Sequence, residues 1–149
     1  MEIKEKLLQA CRDFAQEKLA AIQNTLSELS DSVGSDSKST AGDKHETGRA
    51  MLHLEQEKAG EQLKQAQDTL RAIDKINIQK LNTSIAAGSL VKTNRGNFFI
   101  AISAGKITID KVDYYAVSPK APIAQKLIGL VKNDKVQFNG IDYSVEQIA

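Results

Sequence analysis

Two carboxylates, Asp43 and Glu46, stand three residues apart in the polar segment STAGDKHETGRA at residues 39–50. On a helix, side chains at positions i and i+3 share one face, so both carboxylates can point into solvent together. Mg²⁺ favours carboxylate and water ligands over a cage made only of protein groups, so this pair can supply part of its coordination shell. Alone the pair would bind the ion weakly, and a second surface would have to supply the remaining ligands.

The same two residues also fit a purely structural role. An Asp at the N-cap followed three residues later by a Glu is close to a capping box, which stabilises a helix start by about 1 kcal/mol. If Thr40 is the cap instead, Asp43 falls in the first turn and Glu46 lies one turn further on. The sequence leaves both interpretations open.

Other catalytic or metal-binding patterns near this segment are weak. Residues 45–49 begin like the zinc motif HExxH, but Arg49 occupies the position of the second His. Cys11 is the single cysteine, so no intrachain disulfide can form, and an ordinary position on a helix is expected for it. The cations Lys38, Lys44 and Arg49 are interpreted as surface solvation, with phosphate contact as the alternative.

The residues that must position the acidic pair form two helical stripes. Apolar side chains recur at alternating spacings of four and three in each stripe, which is the pattern of helices that pack along a narrow seam. The first stripe comprises Ile3, Leu7, Ala10, Phe14, Ala15, Leu19, Ile22, Leu26, Leu29 and Val33, and the second comprises Leu52, Ala59, Leu63, Ala66, Leu70 and Ile73. The one-position shift after Phe14 is interpreted as a local change of winding.

Each narrow stripe needs a partner, and a polar turn makes the other helix the nearest one. The sequence therefore predicts an antiparallel helical hairpin, of coiled-coil type, over residues 1–81, with an acidic tip at 31–46. Such a hairpin has little core for its length, which suggests that something other than stability sets that length.

The rest of the chain changes to β signals, after a predicted linker at residues 82–88. Strands are predicted at 89–93, 97–103, 106–110, 113–118, 135–138 and 141–148, with tight turns at 94–96 and 104–105. Pro122 suits the first position of a short helix and Gly129 suits its end. Asn139-Gly140 predicts a two-residue hairpin turn. The expected fold class is α+β, with a small antiparallel β-rich domain over residues 89–149.

Composition limits the classes of function. The net charge of +1 argues against a protein that binds nucleic acid over its whole surface. The longest apolar runs are far too short to cross a bilayer, and charges run through the first residues, so neither a membrane partner nor a signal peptide is expected. A cytoplasmic, monomeric protein is the expectation.

Two segments resemble the bacterial Gre transcript-cleavage factors. AGDKHETGRA at 41–50 is similar to the tip pattern of that family, with Gly42, Asp43 and Glu46 at the positions of its Gly, Asp and Glu. SPKAPIAQKLIGL at 118–130 is similar to its S-P-I-A-x-x-L-I-G stretch. The matching residues there are Pro122, Ile123, Ala124, Leu127, Ile128 and Gly129.

The resemblance implies an FKBP-like fold for residues 89–149, which would dock on RNA polymerase through the second segment. The hairpin would enter the secondary channel of the polymerase. Asp43 and Glu46 would help hold a second Mg²⁺ and a water for cleavage of backtracked RNA, with Lys44 and Arg49 beside the RNA at its 3′ end. The isolated chain would need no cofactor and would not be an enzyme, because it would stimulate cleavage by the polymerase itself.

The tip also departs from the family pattern. Thr47, Gly48, Arg49 and Ala50 stand where the family has Asn, Ala, Glu and Tyr. Two alternatives therefore stand beside the cleavage factor. One is a regulator that occupies the secondary channel without supporting cleavage. The other is a coiled-coil or FKBP-like interaction protein unrelated to transcription.

Overall fold

The chain has an α+β fold, as the sequence predicts. A computed structural model describes residues 2–37 and 44–149, and the side chains of 2–31 and 48–149. Within these residues the helices are α1 (Glu2–Ser37), α2 (Lys44–Asp74) and α3 (Pro122–Leu127). The strands are β1 (Leu90–Thr93), β2 (Gly96–Ile100), β3 (Gly105–Ile109), β4 (Val112–Val117), β5 (Lys135–Phe138) and β6 (Ile141–Ile148).

Contacts divide the chain into two compact units. Ala15–Leu70 forms the first, here called the helical unit. Met1–Phe14 together with Arg71–Ala149 forms the second, here called the sheet unit. This division differs from the expected limits at 81 and 89, because both ends of the helical region belong to the sheet unit.

The helical unit consists of parts of α1 and α2, and alanines predominate among its described buried residues. Ala15 and Ile22 are buried on α1, and Ala59 and Ala66 are buried on α2, with heptad spacing on each helix. Six residues, 38–43, separate the two helices and can span at most about 22 Å. The α1 part of the unit, residues 15–37, is about 34 Å long. The connection is therefore shorter than this part of α1, and the antiparallel hairpin expected from the sequence stays a prediction.

Both long helices have different limits from those expected. α1 continues to Ser37 and includes Gly34, because each residue added to a formed helix gains another backbone hydrogen bond. α2 ends at Asp74 instead of extending toward 81. Beyond it, the Asn77 side-chain oxygen accepts a 3.0 Å hydrogen bond from the Gln79 amide, a local bond that competes with helix continuation.

The sheet unit contains a six-stranded sheet in the order β3-β4-β2-β1-β6-β5. Antiparallel pairs predominate among the described strands, as predicted, but β2 and β4 pair in parallel. At the predicted tight turn 104–105, the Ala104 amide donates to the Ile102 carbonyl at 3.1 Å and Gly105 has φ 72°. β3 then lies at the edge of the sheet and pairs with β4.

Two hairpin turns in this sheet have the same conformation but different sequence signals. Asn139 and Gly140, at φ 51° and 76°, form the predicted two-residue turn between β5 and β6. Asp110 and Lys111, at φ 51° and 68°, do the same between β3 and β4 without a glycine. The second turn carries no strong local signal and was not predicted.

The core of the sheet unit lies between α3 and one face of the sheet. Its buried members are Ile85, Val91, Phe98, Ile100, Ala124, Leu127 and Val145. α3 begins at Pro122 and is followed by Gly129 at φ 93°, so both helix-end predictions are confirmed. The positive φ suits glycine, which has no Cβ to oppose it.

Residues 82–88, expected as a linker, are integrated into this core. Ile85 is 1% exposed, its amide donates to the Leu130 carbonyl at 2.9 Å, and its carbonyl accepts from the Gly129 amide at 2.8 Å. Gly88 has φ 89°, and a Cβ there would lie 3.2 Å from Ile76 Cγ2. The segment therefore contributes to the stability of the unit.

Candidate functional site

The acidic pair lies at the junction of the two long helices, and the structure covers it only in part. α1 ends at Ser37 and α2 begins at Lys44, so Glu46 is in the first turn of α2. Asp43 and the alternative cap Thr40 lie outside the described residues, as do the side chains of Lys44 and Glu46. The proposed metal ligands therefore stay a prediction.

Arg49 is the one predicted RNA-contact residue whose side chain is described. It is half-buried, its Nε is buried, and it takes part in a polar or electrostatic interaction within the chain. This position differs from the fully solvated cation that the sequence suggested.

The predicted docking segment divides into core residues and surface residues. Ala124 and Leu127 are 0% exposed and belong to the core of the sheet unit, and Ile123 packs against that core. Pro122 and Gly129 are exposed, and Ile128 is 38% exposed. A partner on this surface can therefore contact Pro122, Ile128 and Gly129, while the buried members position them.

The buried stripe of α1 within the sheet unit differs from the predicted stripe. Leu7 and Cys11 are 0% exposed and Lys4 is 1% exposed, at spacings of three and four. Phe14, predicted in the stripe, is 40% exposed. The buried residues continue at Ala15 without the predicted one-position shift, because the helical period of 3.6 residues keeps positions 4, 7, 11 and 15 on one face.

Lys4 is the most unusual group in this stripe. Its Nζ is buried and has no hydrogen-bond partner among the described residues. Burial lowers the pKa of the Lys4 ammonium from its ordinary value, because the charged form loses its hydration. No sequence pattern indicated the burial of Lys4, since lysine is rarely buried and its low exposure follows only from the tertiary packing.

Cys11, about two turns further along α1, is chemically unreactive. Burial raises the pKa of its thiol to about 11, because the thiolate would lose hydration in this apolar setting. At neutral pH the group is a protonated thiol and a poor nucleophile. This agrees with a structural position on the helix.

Two ion pairs join α1 to other parts of the sheet unit. Arg12 Nη1 lies 2.7 Å from Asp74 Oδ1, which connects the beginning of α1 to the last residue of α2. Lys6 Nζ lies 3.5 Å from Asp110 Oδ2 in the turn between β3 and β4. Because both pairs are partly exposed, each adds little to the free energy of unfolding. Their main effect is to fix the position of α1 against the end of α2 and the turn between β3 and β4.

A shallow cavity of about 270 Å³ lies on the face of the sheet opposite α3. Its lining consists of Leu90, Lys92, Asn97, Val112, Tyr114, Gln147 and Ala149. These residues come from four strands and from the chain end, so no local sequence pattern could have indicated them. None of its lining residues belongs to the predicted tip or to the predicted docking segment.

Among residues with described side chains, no group of three or more His, Cys, Asp or Glu is placed to hold a metal ion. None of the helices in the described ranges has both the length and the apolar character needed to cross a membrane. No family model matches the sequence, and no curated protein matches it either.

Proposed function

We propose that the chain is a Gre-like factor that binds bacterial RNA polymerase and inserts its helical tip into the secondary channel, where it stimulates cleavage of backtracked RNA. The observation that carries the proposal is the position of the acidic pair. Asp43 and Glu46 fall at the junction between helices of 36 and 31 residues, followed by a sheet unit that contains the segment similar to the family at 118–130.

The helix lengths support this proposal in physical terms. At 1.5 Å per residue, α1 is about 54 Å long and α2 about 46 Å long. Helices of this length with a narrow alanine-rich seam bury little area per residue, so stability alone does not account for them. A requirement to reach an internal catalytic centre would account for the length.

The chain would supply two carboxylates and the polymerase would supply the rest. Asp43 and Glu46 would hold part of the coordination shell of a Mg²⁺ ion, which in a two-metal site stabilises the attacking and leaving oxygens at phosphorus. Because two carboxylates hold the ion weakly, the pair would act only when the polymerase completes the shell. The finer fold assignment, FKBP-like for residues 89–149, is part of the same proposal.

A second candidate is a regulator that occupies the channel without supporting cleavage. Arg49 favours it, because a half-buried arginine with a buried Nε stands where the family has a glutamate. Gly48 adds to this, since a glycine near the start of a helix costs about 1 kcal/mol relative to alanine. A tip that departs from the family pattern at these two residues could enter the channel and yet fail to place its carboxylates at the metal ion.

The deciding experiment has two stages. The full chain is immobilised and tested for retention of bacterial RNA polymerase, and it is then added to a backtracked elongation complex while RNA cleavage is followed. Retention with stimulated cleavage supports the cleavage factor. Retention without cleavage supports the regulator that occupies the channel without supporting cleavage. No retention leaves an interaction protein unrelated to transcription.

A double variant separates metal binding from helix capping. Asp43→Asn with Glu46→Gln keeps groups that can cap a helix but removes both charges. Cleavage should disappear while polymerase retention persists. The matched control, Glu57→Gln with Glu61→Gln, removes two exposed charges from α2 and should leave cleavage unchanged. Equal cleavage by both double variants would refute the metal role.

A further inference from the structure

Strand β3 lies at one end of the sheet, and its outer edge pairs with none of the described strands. Its side chains alternate in exposure: Lys106 and Thr108 are exposed, while Ile107 and Ile109 are half-buried. An edge strand presents a row of unpaired backbone N–H and C=O groups, which can template pairing with another strand. The outer edge of β3 is therefore a candidate interaction surface.

The free backbone groups of this edge belong to Lys106 and Thr108. In an antiparallel pair, residues that exchange hydrogen bonds with the partner strand alternate with residues whose N–H and C=O point away from it. The Ala116 carbonyl of β4 points toward β3, because it accepts from the Ala104 amide at 3.3 Å, and Ala116 pairs with Gly105. The odd-numbered residues of β3 therefore bond to β4. Lys106 and Thr108 point their backbone groups outward, where no described residue bonds to them.

The segment Lys106-Ile107-Thr108-Ile109-Asp110 is complementary to itself when two copies run antiparallel. A two-fold axis at Thr108 places this residue beside Thr108 of the second copy. It also places each Ile107 beside an Ile109, and each Lys106 beside an Asp110. Opposite charges and paired threonines contribute roughly 0.2–1 kcal/mol each when they stand opposite one another on such strands. The order of residues therefore favours a second copy of the chain as the partner of this edge.

The same register also pairs the outward backbone groups. Thr108 would exchange two hydrogen bonds with Thr108 of the second copy, because its N–H and C=O both point outward. The Ile109 carbonyl points toward β4, so the Asp110 amide, on the other side of the same planar peptide, points outward. That amide can donate to the Lys106 carbonyl of the second copy. An axis at Ile107 would instead set the two lysines diagonally across from each other, within reach of like-charge repulsion.

Asp110 is accessible for this contact. Its side chain is 71% exposed, and its pair with Lys6 at 3.5 Å joins two exposed groups, so that pair is weak. A carboxylate has two acceptor oxygens and can accept from a second ammonium as well. A lysine on an edge strand usually discourages pairing with another chain. Here Lys106 would face a carboxylate, so it selects one arrangement of the two copies against others.

We propose that the outer edge of β3 binds a second copy of this chain, and that the two sheets continue into each other through an antiparallel β3–β3 pair. The assembly closes at two copies, because the pairing occupies the β3 edge of both. The paired segment is short, so the association is weak and is expected at about 1 mM. This dimer replaces the monomer that the sequence suggested, and it depends neither on the acidic tip nor on a polymerase.

The first test measures the mass of the full chain by sedimentation equilibrium, and its amide hydrogen exchange, at micromolar and at millimolar concentration. The mass is expected to rise toward that of two copies. The amides of Thr108 and Asp110 should exchange more slowly at the higher concentration, whereas those of Ile107 and Ile109, already bonded to β4, should not change. A chain that stays monomeric, assemblies of more than two copies, or association without protection of the Thr108 and Asp110 amides would each overturn the proposal.

The second test exchanges the charges of the pair. Lys106→Glu should weaken association about five-fold, because it sets two acids against each other at two symmetric places. Adding Asp110→Lys to that variant reverses both charges and should restore association.

Lys92→Glu is the matched control, since it makes the same charge change at an exposed position of the interior strand β1 and should leave association unchanged. Backbone amide spectra check that each variant keeps the fold. Equal weakening by Lys106→Glu and Lys92→Glu would overturn the proposal. So would a charge-exchanged double variant that associates no better than Lys106→Glu alone.

Discussion

Replacing Lys4 by methionine is expected to stabilise the sheet unit. Methionine keeps an unbranched apolar chain of similar length and removes the Nζ, which is buried and has no partner among the described residues. The neighbours of the stem are retained, since Lys4 lies in line with the buried Leu7 and Cys11. The variant therefore isolates the free energy of burying the amine.

The size of the expected stabilisation follows from the free-energy cost of burying the Lys4 amine, which the substitution removes. A buried polar group without a hydrogen bond costs about 1–3 kcal/mol, and more if it is charged. The free energy of unfolding of Lys4→Met should rise by at least that amount at pH 7. For a chain of this length, each kcal/mol corresponds to roughly 2–4 °C in Tm.

The pH dependence has a definite sign. Burial lowers the pKa of Lys4 in the folded chain, so the unfolded chain binds the proton more tightly. The penalty is complete below the folded pKa and disappears as the pH rises toward the unfolded value of 10.5. The stability difference between Lys4→Met and the unchanged protein should therefore shrink as the pH rises to about 10.5.

The assay is urea unfolding followed by tyrosine fluorescence. Tyr114, Tyr115 and Tyr143 all lie in the sheet unit and the chain has no tryptophan, so the signal reports on this unit. Titration of Cys11 affects both proteins equally and cancels in their difference. Lys18→Met, at an exposed position of the same helix, should change stability by less than about 0.5 kcal/mol. A destabilised Lys4→Met, or a difference independent of pH, would refute the unpaired buried amine.

Three further predictions concern the sheet unit. Cys11 should react slowly with a disulfide reagent at pH 8 in the folded chain and rapidly in denaturant, because burial raises its thiol pKa to about 11; fast reaction of the folded chain would contradict this. Ile85→Ala should cost about 2–5 kcal/mol in urea unfolding, as a fully buried core residue does, whereas Leu81→Ala, at 72% exposure, should cost little; similar losses would mean that Ile85 is not packed. Gly140→Ala should cost about 1–2 kcal/mol because its φ is 76°, while Asn139→Gly should be nearly neutral; a harmless Gly140→Ala would exclude the positive-φ turn.

Local chemistry made several parts of the fold predictable. The Asn139-Gly140 turn, the Pro122 start and Gly129 end of α3, and most strand positions depend on neighbouring residues, whose backbone preferences act over a few positions. The existence of two long helices followed from periodicity. Their limits at Ser37 and Asp74 did not, because helix ends depend on hydrogen bonds and contacts that lie outside the stripe.

The candidate sites also differ in whether a local sequence pattern indicates them. Asp43 and Glu46 stand out in the sequence because their spacing is local, and their role as metal ligands stays a prediction. The cavity on the sheet has no sequence signature, because its lining residues are up to 59 residues apart and only strand register brings them together.

The sequence by itself determined that two narrow-seamed helices precede a β-rich unit, since patterns of apolar residues and turn residues act within single elements. Only the tertiary structure decided the parallel pairing of β2 with β4, the burial of Lys4 and the shared face of Lys92 and Tyr114. Each of these depends on which distant segments become neighbours. That choice is made by the total free energy of packing, in which an unfavourable group such as the Lys4 amine is tolerated because its surroundings are favourable.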